Sequence, residues 1–110
     1  MNMEWNDQFA AMKAQFLLRA KDRLAGLDKA IDDWDKNIED PELLMKVYKD
    51  FHWLAGVGGT YQLPEISALG ANGEEICLDL IDRKRVPGKE DPQRLREIMY
   101  AVCSLMRSAR

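Results

Sequence analysis

The stretch FHWLAGVGGTYQL, residues 51 to 63, holds the only histidine in a chain of 110 residues, and three glycines follow it within seven positions. An imidazole can act as proton acceptor, nucleophile or metal ligand. One histidine with two scattered cysteines, Cys77 and Cys103, makes no plausible zinc site, so no metal site is expected. GVGG follows no strand and lacks the lysine and Ser/Thr of a phosphate-binding loop, which sets nucleotide binding aside. What remains is the imidazole itself and the surface around it.

At about 100° per residue His52 lies roughly 160° from Leu54, which belongs to an inward apolar line, so His52 points outward. Met45, Tyr48, Lys49, Ala55, Gly56 and Gly59 fall within about 60° of it. Gly58 faces inward, where close helix packing explains it. Gly56 and Gly59 face water, where each costs a helix roughly 1 kcal/mol against alanine. Their use is flatness: another protein can press against the helix there and reach the ring. Tyr48, Lys49, Ala55, Gly56 and Gly59 are therefore the expected docking residues around His52.

These residues depend on helices to position them. Phe9, Met12, Phe16, Ala20, Leu24, Leu27, Ile31, Trp34 and Ile38 step by three or four and predict one long first helix. A bend at Gly26 or a break near residue 12 would separate an N-terminal helical lid from it. Asp40-Pro41-Glu42 supplies a cap, a first-turn proline and a favourable acid for a second helix. Its inward line is Leu44, Val47, Phe51, Leu54, Gly58 and Tyr61. Pro64 opens a third helix, with Ile66, Leu69, Gly73, Ile76, Cys77 and Leu80 inward. KRVPGKE, residues 84–90, is a loop closed by Asp91-Pro92 as cap and first-turn pair. Leu95, Ile98, Met99, Val102, Leu105 and Met106 line a fourth helix. No segment alternates with period two, so the expected fold is all-α, an antiparallel up-down four-helix bundle occupying residues 1–110 as one domain, with a possible N-terminal helical lid.

If the second and third helices form a hairpin turning near Leu63-Pro64, residues whose numbers sum near 126 lie side by side. Glu74 then faces His52. Its carboxylate would accept the Nδ1–H, hold one tautomer and leave Nε2 as acceptor or nucleophile.

These residues resemble the histidine-containing phosphotransfer (HPt) family, whose motif runs His-x-Leu-Lys-Gly, then small residues, a hydrophobic residue, glycine and another hydrophobic. Here the chain reads His52-Trp53-Leu54-Ala55-Gly56-Val57-Gly58-Gly59-Thr60-Tyr61-Gln62-Leu63. The resemblance covers essentially the whole chain and implies a phosphoacceptor at His52, with Glu74 at the position of the family's imidazole-bonding residue. Ala55 stands where many members carry a lysine, and Gln62 where a glycine is usual. Lys49, one turn before His52, could supply the missing cation.

The implied function is to accept a phosphoryl group on His52 from the aspartyl phosphate of a receiver domain and pass it to another receiver. The partners would be receiver domains of response regulators or hybrid histidine kinases. No cofactor is expected on this chain; Mg²⁺ would sit on the partner. Such a phosphocarrier has neither an ATP site nor turnover of its own. The alternative is a helical adaptor that binds a receiver or other signalling regulator without taking phosphate, which Ala55 favours. A helical dimerisation module would need an extra exposed apolar stripe, of which the sequence offers only Trp5 and Trp53, so a monomer is expected.

A net charge of −3 argues against a duplex nucleic-acid binder, and Arg83-Lys84-Arg85 reads as a solvated helix end. The longest uncharged run, Phe51 to Pro64, is too short and too glycine-rich to span a bilayer. MNMEWNDQ carries acids and amides where a secretory signal needs a basic start and an apolar run, so the expected location is cytoplasmic. The two cysteines suit buried thiols better than a disulfide.

Overall fold

The computed structural model describes the backbone of residues 2–108 and the side chains of residues 6–108. Four helices follow in order: α1 Asn2–Lys36, α2 Pro41–Thr60, α3 Pro64–Ile81 and α4 Glu90–Ser108. There is no strand among the described residues. α2 packs on α1 and α3, and α4 packs on the same two, which makes a ring of neighbours, the four-helix bundle read from the apolar stripes.

α1 runs unbroken through residue 12 and Gly26, so the N-terminal lid is not a separate element. A Cβ on Gly26 would meet nothing within 4 Å, so that glycine lies on an open surface of a continuous helix. At 1.5 Å per residue α1 is about 52 Å long, and it accounts for the long dimension of a molecule measuring 54 × 22 × 20 Å. Its core line begins at Phe16 and continues through Ala20, Leu24, Leu27, Ala30, Ile31 and Trp34. Phe9 is half-buried and Met12 exposed, because α2 ends opposite Phe16 and leaves the earlier turns without that neighbour. Trp34 is fully buried, and its indole N–H donates to the Ile38 carbonyl at 3.2 Å, so the largest core side chain leaves no polar atom unpaired.

The inward line of α2 is buried at Leu44, Val47, Phe51, Leu54 and Gly58, with Tyr61 half-buried. Asp40 caps it as expected: its carboxylate accepts the backbone N–H of Glu42 at 2.9 Å and of Leu43 at 3.4 Å. α3 buries Ile66, Gly70, Gly73, Cys77 and Leu80, while Leu69 and Ile76 are only half-buried. α4 buries Leu95, Met99 and Val102, and Ile98, Leu105 and Met106 lie half-buried at its flanks.

Both helix C-termini at the ends of the hairpin close the same way. Leu63 N–H donates to the Gly58 carbonyl at 2.7 Å and Gln62 N–H to Gly59 at 3.3 Å; Lys84 and Arg83 repeat the pattern on Asp79 and Leu80. These are the paired bonds of a Schellman closure, which needs a left-handed residue just past the helix. Gln62 and Arg83 occupy those positions, each with φ of 58°.

The loop before α4 differs from its reading. Asp91 lies inside the first turn instead of capping it, and its carboxylate turns back to the loop. It accepts two bonds from Arg85, at 2.8 and 2.6 Å, and one from the Gly88 N–H at 2.8 Å. Arg85 is thus a structural partner of a fully buried carboxylate rather than part of a solvated helix end. On the opposite side of α4, Arg96 bridges Asp32 and Asp35 of α1 and ties the start of one helix to the end of the other.

Candidate functional site

The closeness of α2 and α3 sets the site. A Cβ added to Gly58 would stand 2.7 Å from the Ser67 nitrogen, and one on Gly70 would stand 2.6 Å from the Ala55 nitrogen. Only backbone without side chain permits that approach. One on Gly73 would collide with the Phe51 ring. Ser67 Oγ–H donates to the Ala55 carbonyl at 2.6 Å, a side-chain bond across the same seam. The hairpin register inferred from the turn position is the one observed.

His52 projects from this seam with 67% of its side chain exposed, while Glu74, on α3, keeps only 21%. The imidazole Nδ1–H donates to Glu74 Oε2. An ionised carboxylate only accepts, so the bond assigns a proton to Nδ1, and in the neutral ring the lone pair then lies on Nε2, the nitrogen that Glu74 does not engage. Tyr48, one turn earlier, stacks on the imidazole with ring centres 5.8 Å apart and planes 24° from parallel. The ring is therefore held by a hydrogen bond and by an aromatic face.

Gly56 and Gly59 both lie on the open surface beyond the ring. A Cβ on Gly56 would meet nothing within 4 Å, and one on Gly59 would make only an ordinary contact with Ser67 Oγ at 3.8 Å. Neither glycine is required by packing, in contrast to Gly58. Lys49 is exposed one turn before His52, on the same face of α2. Ala55 departs from its expected place: it is half-buried in the seam, its backbone lying against Gly70, instead of standing open on the docking face.

A feature missed in the sequence flanks the other side of the histidine. Trp53 is half-buried, not exposed: its ring lies 5.7 Å from that of Phe16, and the Arg23 guanidinium sits 4.9 Å from its centre. Arg23 also donates to Asp50 at 2.9 Å. Phe16, Arg19, Asp22, Arg23, Trp53, Val57 and Tyr61 line a shallow depression of about 660 Å³ between α1 and α2. The i, i+4 pair Arg19 and Arg23 was legible as a pattern, but its position beside Trp53 depends on the register of α1 against α2, which no hairpin turn dictates.

Among the described residues no group of three or more His, Cys, Asp or Glu side chains is placed to hold a metal ion, and no helix is long and apolar enough to cross a membrane. Cys77 is buried and its thiol is pushed up to about 12, first by burial and then by the charges of Glu74 and Asp91, so it is an inert core thiol. Cys103 is half-buried, and burial raises its thiol as well. No protein-family model, curated protein or solved structure matches this chain.

Proposed function

We propose that this chain is a histidine phosphotransfer protein of a multistep phosphorelay, with His52 as the phosphoacceptor. The observation that carries the reading is the pairing of His52 Nδ1–H with Glu74 on a largely exposed ring beside bare backbone. Phosphoryl transfer asks mainly for in-line positioning and charge stabilisation, so an oriented nucleophile on an accessible surface is most of what a carrier must supply. In the reaction the Nε2 lone pair attacks the phosphorus of a receiver's aspartyl phosphate. The N–P bond forms as the acyl O–P bond breaks, and the leaving group is the receiver's own carboxylate. The ring gains positive charge, which the Glu74 carboxylate offsets through the retained Nδ1–H. Mg²⁺ belongs to the receiver in this scheme.

Gly56 and Gly59 form the floor on which the receiver rests, with Tyr48 behind the ring. Lys49 is the cation available to the transferred group, since Ala55 supplies none. Arg19 and Arg23 extend the surface toward α1, with Asp22 beside them and Asp50 paired to Arg23, so charge of both signs is present on that edge. The partners are receiver domains of response regulators or hybrid histidine kinases, and the reading places the protein in the cytoplasm with them.

The test is to mix the purified chain with a ³²P-labelled receiver and Mg²⁺. Acid-labile, base-stable label on the wild type and none on His52→Gln supports the carrier. Binding without label across a panel of receivers supports the second reading, a helical adaptor, which the missing charge at Ala55 favours.

A further inference from the structure

The face of the bundle diagonally opposite the α2–α3 seam is unexpectedly apolar. α1 and α4 leave a groove of about 970 Å³ between them, floored by Ala10, Ala14, Leu17, Cys103 and Met106. Leu18 stands beside it with 70% of its surface exposed and Tyr100 with 56%. The sequence offered no such stripe, because Leu18 and Tyr100 lie on different helices and neither belongs to the core period of its own. Lys13, Lys21 and Arg107 rim the groove against a single acid, Asp28.

We propose that this face binds a second copy of the chain, through antiparallel packing of α1 on α1 about a twofold axis near Ala14. Asp7, Ala10, Ala14, Leu18 and Lys21 follow one another at intervals of three and four, so they share one face of the helix. With the axis at Ala14, residues whose numbers sum to 28 stand opposite. Leu18 then meets the partner's Ala10, a large side chain over a small one, and Asp7 meets the partner's Lys21. Each contact occurs twice, as an isologous interface requires. Shifting the axis by one helical repeat, to a sum of 35, would set Asp7 against the partner's Asp28. The charge pattern therefore selects the first register. The early turns of α1 extend past Phe16, where α2 ends, and so remain available to a partner. Residues 6–12 carry one acid, Asp7, and no base, which matches the basic rim across the axis. The dimer leaves His52 uncovered, since that ring is on the far side of the bundle.

Sedimentation equilibrium on the full chain tests the proposal. The wild type is expected to dimerise in the micromolar range, and Leu18→Glu to be monomeric with unchanged helical circular dichroism, since Leu18 is a surface residue. Lys21→Glu is expected to weaken association about tenfold, the scale of the two exposed ion pairs it removes, one on each side of the twofold axis, and Asp7→Lys with Lys21→Glu in one chain to restore it. Alkylation of Cys103, which lines the groove, should slow as protein concentration rises. A wild type that stays monomeric to about 100 µM overturns the proposal, whatever else covers the groove. A dimer untouched by Leu18→Glu also overturns it, and a double charge exchange that fails to recover association overturns the register.

Discussion

The backbone of Gly70 lies so close to that of Ala55 that a single added carbon on Gly70 would come within 2.6 Å of the Ala55 nitrogen. That contact fixes the separation of α2 and α3 one helical turn from Glu74, and so the span the carboxylate must cross to reach His52. Gly70→Ala must push the helices apart, because the obstacle is backbone and not a movable side chain. The expected cost is about 1–3 kcal/mol of stability, the usual range for overpacking. Chemical denaturation measures it, and transfer to His52 should fall in the same variant even at temperatures where it is fully folded.

Glu74 acts on the reaction through the imidazole, so its removal should change the ring before it changes the fold. In Glu74→Ala the Nδ1 proton loses its acceptor and both tautomers become populated, which ¹⁵N shifts of the ring report directly. A hydrogen bond to a charged partner contributes about 1.5–3 kcal/mol, so transfer should slow by roughly tenfold to a hundredfold. Glu74→Gln retains an acceptor oxygen but no charge and should fall between wild type and alanine. Wild-type transfer in Glu74→Ala would remove the glutamate from the mechanism.

Gly56 separates folding from docking. Nothing lies within 4 Å of where its Cβ would be, so Gly56→Ala should stabilise α2 by about 1 kcal/mol, the helix-propensity difference. If a receiver rests on this surface, the more stable protein should be the poorer acceptor, and Gly56→Gln poorer still. A rise in melting temperature with no loss of transfer would show that the glycine serves no partner.

The position where the resembled family usually has glycine is one where this chain holds Gln62 at φ 58°. A side chain in left-handed backbone costs roughly 1–2 kcal/mol relative to the right-handed conformation, whereas glycine adopts it freely. Gln62→Gly should therefore stabilise the protein by about 1 kcal/mol, less the extra entropy glycine brings to the unfolded chain. Arg83→Gly, at the equivalent closure of α3, should behave alike. Thermal melts of the two single variants and the pair should show additive gains, since the sites are at opposite ends of the hairpin.

Much of the bundle was legible because its signals are local. The cap at Asp40, the prolines at 41 and 64 and the period of Val47, Phe51 and Leu54 each act within a few residues, and a short hairpin turn then fixes which α3 residue faces His52. Pairings set by distant packing were not legible. Trp53 looked exposed until Phe16 and Arg23 of α1 closed over it, and Gly70 was passed over in favour of Leu69 because hydrophobic patterning gives no weight to a glycine that backbone contact makes indispensable. Asp91 looked like a cap since Asp-Pro so often is one; the local rule lost to Arg85, whose fork satisfies both carboxylate oxygens.

That carboxylate is also the most informative acid-sensitive group outside the candidate site. The Arg85 guanidinium, and then the Gly88 N–H, hold the Asp91 carboxyl below its ordinary range against the opposing effect of burial. A group depressed on folding contributes its stability in full above the unfolded value, near pH ~4, and loses it as the pH falls toward the folded value. Stability measured by denaturant between pH 7 and pH 5 should owe no slope to Asp91, whereas below about pH 4 the wild type should lose stability faster than Asp91→Asn. At neutral pH, Asp91→Asn should cost about 1–3 kcal/mol by leaving a charge-assisted fork half-made, the lower end being favoured because Arg85 retains some contact with water. A wild type and variant with the same acid profile would mean that the pair persists in the unfolded chain or contributes nothing to folding.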